Sequence, residues 1–93
     1  MKALRKRVGE PWEVIDIENS LEALQEEVGG YIETVTLATD CALVVDEEGL
    51  LKEKEYNTNL AGIHIVGTAL IVGVDFDEFC DVHQDIIKFV GGK

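Results

Sequence analysis

The sequence predicts an α+β fold, a single small domain over residues 1–93 whose mainly antiparallel sheet of about five or six strands carries two packed helices. Three observations predict it. Short β-branched and apolar runs alternate with Gly, Asn and Asp turn signals, helical spacing is confined to two stretches, and no repeat, low-complexity tract or linker divides the chain. At this length one core buries roughly 60–65 % of the unfolded chain's surface, so modest stability is expected. With 46 % hydrophobic residues the chain should fold despite a formal net charge of −11.

Taken in order, Lys2 to Val8 reads as a strand with apolar Leu4 and Val8, and its basic side chains suit an exposed edge. Gly9, Glu10 and Pro11 turn the chain into Trp12 to Ile17, whose alternation suits a hairpin partner. Asn19 followed three residues later by Glu22 has the spacing of a capped helix start. Leu21, Leu24 and Val28 then recur at helical intervals until Gly29 and Gly30, with Glu22, Glu26 and Glu27 facing water. Tyr31 to Ala38 alternates as a half-buried strand, and Cys41 to Val45 is apolar throughout, as a central strand would be. Asp46 to Gly49 is a turn. Leu50 to Asn59 shows neither period and reads as a loop with at most one helical turn. Ile63 to Val66 and Ala69 to Val74 read as core strands joined at Gly67 and Thr68. Asp77 has the chemistry to cap a last helix in which Phe79, Val82, Ile86, Phe89 and Val90 recur, ending at Gly91 and Gly92.

Charge is the strongest functional signal. Residues 1 to 8 hold four of the eight basic residues and no acid, which leaves four cations against 19 carboxylates in the remainder. Such a body repels nucleic acid and anionic membrane and attracts basic surfaces, so direct nucleic-acid binding is expected only through the basic first strand. Two acidic groups stand out: Asp46, Glu47, Glu48, Glu53 and Glu55, and then Asp75, Asp77, Glu78, Asp81 and Asp85. If the two align, their carboxylates match the charge spacing that a phosphate-binding cleft accepts. Simple solubility, and the preference of helix starts for acids, are the plainer explanations of the same residues. These ten acids, with Arg5 and Arg7 of the basic strand, are the candidate partner-binding residues.

No catalytic, metal or cofactor site is expected. Cys80 and His83, three apart, could join Cys41 and His64 around zinc, but there is no CxxC, and plainer places suit them better: Cys41 as a small core residue, His64 on the polar side of its strand, and Cys80 and His83 flanking the apolar stripe of the last helix. A Cys–His nucleophile oriented by Asp81 or Asp85 is a chance combination in a chain this size. There is no Gly-rich phosphate loop, nucleophile elbow or HExxH, and neither Asp75 with Asp77 nor Glu47 with Glu48 has a calcium ligand ladder. The apolar stretch from Ile63 to Val74 is interrupted by His64, Gly67, Thr68 and Gly73, and is too short for a bilayer that takes about 20 helical residues. Two widely spaced cysteines and no leading signal segment fit a reducing cytoplasm.

The opening MKAL, the segment WEVIDIENSLEALQEEVGGYIETV, and IVGTALIVG followed by DFDEFCDV resemble a family of small proteins of unknown function found in phages, plasmids and conjugative elements of Gram-positive bacteria. NSLEALQEEVGGYIE, residues 19–33, is its most specific part, a helix cap, an apolar helix face and a Gly-Gly exit; Arg5 to Arg7 departs from the typical member. The resemblance implies an anti-defence protein. The leading expectation is an anti-CRISPR inhibitor whose polyanionic body occupies the guide-RNA or DNA channel of a Cas9-type nuclease. The alternatives are a sponge for a nucleotide immune signal, using Lys2, Arg5, Lys6 and Arg7, and a structural or regulatory module that binds a basic partner of its own element. A homodimer is compatible with each.

Overall fold

Residues 69–73, Ala-Leu-Ile-Val-Gly, carry no polar side chain and are buried on both faces, which puts them at the centre of a sheet. In the computed structural model, which describes residues 1–90, they belong to a strand that ends at Asp75. The order along the chain is β1 (Lys2–Lys6), β2 (Glu13–Asp16), α1 (Leu21–Val28), β3 (Ile32–Ala38), β4 (Cys41–Asp46), β5 (Tyr56–Leu60), β6 (Ile63–Val66), β7 (Ala69–Asp75), β8 (Glu78–Cys80) and α2 (Gln84–Val90). The fold is α+β, as the sequence predicts. A six-stranded antiparallel sheet runs β2-β1-β7-β4-β3, β8 extends the β1 side of β7, and β5 and β6 form a separate hairpin.

Alternation along β4 and β7 sorts their side chains onto two faces. Ala42, Val44, Leu70 and Val72 meet Ala3 of β1 and Leu24 and Val28 of α1. Leu43 and Ile71 meet Leu4, Ile65 of the hairpin, and Val82 and Ile87 of the C-terminal segment. The sheet is thus a middle layer, with α1 on one side and the β5–β6 hairpin and α2 on the other. Gly73 has a steric reason to lack a side chain, because a Cβ there would run into the Asp81 carbonyl where the chain leaves β8.

Several expectations change. The basic first strand is interior, paired with β2 and β7, so its cations turn to specific partners and do not guard an edge. The cap of α1 is Ser20, whose Oγ accepts the Ala23 N–H at 3.2 Å, while the Asn19 side chain donates to the Phe79 carbonyl. Gly29 ends α1 with φ at 82°, a left-handed value that favours glycine. The stretch Leu50 to Asn59 runs into β5, a polar strand stabilised by Asn57, whose side chain donates to the Lys6 and Gly67 carbonyls at 2.8 and 2.7 Å. The last helix starts at Gln84 and not at Asp77. Phe76 and Asp77 form a tight turn that folds β8 back on β7, and Phe79 then packs on the α1 face while Val82 and Ile86 pack on the opposite one. The expected stop at Gly91 and Gly92 lies outside the described residues.

Candidate interaction surface

Strand register decides where the charges go. Val44 faces Leu70 and Cys41 faces Gly73, so Asp46 sits near the start of β7 and Asp75 near its end. At 3.3 Å per residue the two acidic groups are roughly 20 Å apart, at opposite ends of the sheet, and do not align as one face.

The first group is partly internal. Asp46 is 5 % exposed and does not form part of the outer surface. Its Oδ2 receives Lys54 Nζ at 2.7 Å and Lys52 Nζ at 2.9 Å, and its Oδ1 accepts the Glu48 N–H. Burial opposes the charge, yet the hydrogen bonds from Lys54, Lys52 and the Glu48 amide outweigh it and hold the carboxyl at about 2, below its ordinary 3.8. The same lysines reach the end of α1, Lys54 to the Val28 carbonyl and Lys52 to that of Gly29. Glu47, Glu48, Glu53 and Glu55 remain exposed around this knot.

The basic strand is largely committed as well. Arg5 forks to Glu27 at 2.8 Å and Glu13 at 3.2 Å; burial works against its charge, and the two carboxylates more than compensate, raising its pKa above the ordinary guanidinium value. Glu27 is therefore an ion-pair partner and not a water-facing residue. Lys6 donates to the Asn57 side chain at 2.8 Å. Arg7 is exposed at the rim of an open cleft of about 450 Å³ that it shares with Glu27, Gly29, Lys54, Glu55 and Gly67. Lys2 lies at the other end of the strand, so the four cations do not converge on one anion.

The second group gains members that the sequence did not single out. The turn after β3 brings Asp40, and the end of β2 brings Asp16 and Glu18, to the same end of the sheet as Asp75, Asp77, Glu78 and Asp81. The cations at this end are Lys2, whose backbone N–H is bound by Asp81 Oδ1 at 2.8 Å, and the Met1 ammonium, 3.6 Å from Asp16 Oδ1. Burial, then Asp75, Asp81 and Asp40, push the Cys80 thiol up from its ordinary value, which reports three carboxylates converging on one sulfur. Asp85 stands apart at the start of α2, where its N–H is bound by His83 Nδ1.

At the tip of this acidic end is Phe76. It is 95 % exposed and held at φ 58°, in the left-handed region that bulky side chains rarely occupy, between Asp75 and Asp77. The signal was present as Asp-Phe-Asp-Glu, but those residues also fit a helix start. Neither cysteine is set up as a nucleophile: burial and Asp40 raise the Cys41 thiol too, and both thiols are kept protonated near neutral pH. His64 lies on the Tyr56 ring at 5.0 Å, and among the described residues no group of His, Cys, Asp and Glu is placed to hold a metal ion.

Fold and charge together define a small, strongly acidic α+β domain with an exposed aromatic at its acidic end. The family described as a domain of unknown function, DUF3846, matches residues 1–92, and the chain belongs to that family. This agrees with the resemblance carried by residues 19–33 to a family of unknown function. No curated protein and no solved structure matches the chain. No helix is long and apolar enough to cross a membrane.

Proposed function

We propose that the protein is a non-catalytic binding module that docks the acidic end of its sheet into a basic groove of another protein, with Phe76 as the anchor. The carrying observation is the coincidence, on one hairpin tip, of a fully presented aromatic ring with Asp75, Asp77 and Glu78 around it. Interface energy concentrates in such aromatic anchors, and a rim of one charge sign steers the complementary partner. A groove shaped for a nucleic-acid backbone supplies both the cations and the depth. In the anti-defence reading that the mobile-element resemblance implies, the partner is a Cas9-type nuclease and the blocked groove is the one that holds guide RNA or target DNA. The backbone at Phe76 also supports a binding role: a left-handed φ under a large side chain costs of order 1 kcal/mol, a cost that a folding role does not require.

The test separates binding from folding. Phe76→Asn places a residue at φ 58° that tolerates it, so this variant is expected to be at least as stable as the parent while binding the nuclease roughly tenfold or more weakly. The double reversal Asp77→Lys with Glu78→Lys should weaken binding further and flatten its salt dependence. Binding and target cleavage would be measured with and without guide RNA at two salt concentrations. Unchanged inhibition by both variants would reject the proposed surface, and absence of any binding to the nuclease would reject that partner.

A further inference from the structure

The free edge of β3 has features that the acidic end does not use. β3 is the last strand of its sheet, and among the described residues its only strand neighbour is β4. The other outer strand, β2, is short, follows Pro11 and carries Glu13 and Asp16, which are protections that edges ordinarily have. Residues 34–38 of β3, Thr-Val-Thr-Leu-Ala, carry no charge and no proline. The Glu47 N–H donates to the Tyr31 carbonyl, which fixes the phase of the β3–β4 ladder. In an antiparallel ladder the direction alternates, so the amides and carbonyls of residues 33 and 35 point at β4 and those of Ile32, Thr34 and Thr36 point outward. Thr34 and Thr36 are exposed. A bulge between Thr36 and Ala38 ends the regular stretch.

Two recesses flank this edge on the face that carries Val35 and Leu37. One, of about 210 Å³, is lined by Glu33, Val35, Glu47, Leu50 and His64, with no lysine or arginine in its wall. The other, of about 330 Å³, is lined by Leu37, Cys41, Leu60, Ile86 and Phe89 and is almost wholly apolar. Glu33 and Leu37 are four residues apart, about 13 Å along a strand, and side chains of an added strand reach one face at every second residue. The spacing thus suits one extended segment.

We propose that β3 accepts an extended peptide segment of a partner protein as an additional antiparallel strand. Its backbone pairs with Ile32, Thr34 and Thr36, its large apolar side chain enters the recess beside Leu37, and its lysine or arginine, four residues later, enters the recess between Glu33 and Glu47. Main-chain hydrogen bonds supply affinity and the two recesses supply sequence preference. Charge complementarity selects this occupant over a second copy of the chain. Antiparallel self-pairing about Val35 would set Glu33 of one copy across from Leu37 of the other, driving a carboxylate toward the apolar recess, and would bring two bodies of net charge −11 together.

The probe is the fluorescently labelled peptide Thr-Leu-Thr-Val-Thr-Lys-Thr, blocked at both ends, titrated against the whole protein by anisotropy. Saturable one-to-one binding is expected, and it should vanish when the threonine amides are N-methylated, since those amides face β3. Thr34→Pro removes an outward N–H that the β3–β4 ladder does not use, and should weaken binding about tenfold while the protein stays folded by circular dichroism. Glu33→Lys with Glu47→Lys, both exposed changes, should abolish binding of this peptide and transfer it to the version with Glu in place of Lys. Asp77→Lys with Glu78→Lys should leave peptide binding intact, which separates this surface from the acidic end. The proposal is overturned if no saturation occurs by about 1 mM peptide. Equal binding of the N-methylated peptide overturns it as well, and so does a dimer in sedimentation equilibrium that Thr34→Pro dissociates.

Discussion

Burying the Asp46 carboxylate without partners would cost several kcal/mol, and the chain offsets that cost with two lysines that arrive from the following turn. The pairing leaves a signature in pH. The carboxyl titrates at about 2 in the folded protein against an ordinary 3.8, so its folded pKa is depressed. The stabilisation is complete above the unfolded value and is lost as pH falls through the folded one, a window from about pH 4 to about pH 2, worth about 2 kcal/mol. Asp46→Asn should therefore lower stability by about 2 kcal/mol near neutral pH, in part because Lys52 and Lys54 lose their shared anion. Urea unfolding of parent and variant at pH 6 and at pH 2.5 would check this: the difference should shrink markedly at the lower pH. An equal difference at both values would mean that the ion pairs contribute nothing and that Asp46 acts by packing alone. The sequence placed Asp46 in an acidic patch because composition counts charges and does not see which of them turn inward.

At the scale of elements, legibility followed the source of each element's stability. Strands β4 and β7 were legible because their apolar runs are buried on both faces, and α1 because Leu24 and Val28 follow helical spacing up to the glycine exit. Strand β5 was not, because Tyr-Asn-Thr-Asn-Leu has no apolar alternation and its anchor is the buried side-chain amide of Asn57, whose partners Lys6 and Gly67 are distant in sequence. The start of α2 was misplaced because Phe79 and Val82 have helical spacing by coincidence and belong to opposite faces of the sheet. The interaction surface failed in the same manner. Its acids were legible, but the grouping of Asp16, Glu18 and Asp40 with Asp75 and Asp77 depends on strand register, which no local pattern encodes. The α1 cap is a place where a one-residue difference can be measured. Ser20→Ala should cost about 1 kcal/mol, since its Oγ satisfies the Ala23 N–H at the helix start. Asn19→Ala removes only the bond to the Phe79 carbonyl and should cost less. Chemical denaturation of the two variants would rank them, and the reverse order would return the cap to Asn19.

Among the described residues most of the paired cations sit at one end of the sheet, and at the other the acids outnumber their cations, Lys2 and the Met1 ammonium that lies 3.6 Å from Asp16. Arg5, Lys6, Lys52 and Lys54 are bound near the end of the sheet where β7 begins, whereas Asp16, Glu18, Asp40, Asp75, Asp77, Glu78 and Asp81 cluster where it ends. The body measures 32 × 26 × 21 Å against a screening length of about 10 Å at 0.1 M salt, so like charges gathered at one end repel one another most at low ionic strength. The ion pairs that salt would weaken are partly buried and are screened less than the exposed acids are. Repulsion should therefore dominate the salt response. The expected result is a Tm that rises by about 5 °C between about 10 mM and about 500 mM sodium chloride. Asp77→Lys should raise Tm at the low concentration and lose that advantage at the high one. A basic partner acts on the same repulsion as salt does, so binding at the acidic end should stabilise the fold most where salt is lowest. A Tm that fell with added salt would mean that the paired cations outweigh the acidic end, and with it the link between charge relief and binding would be lost.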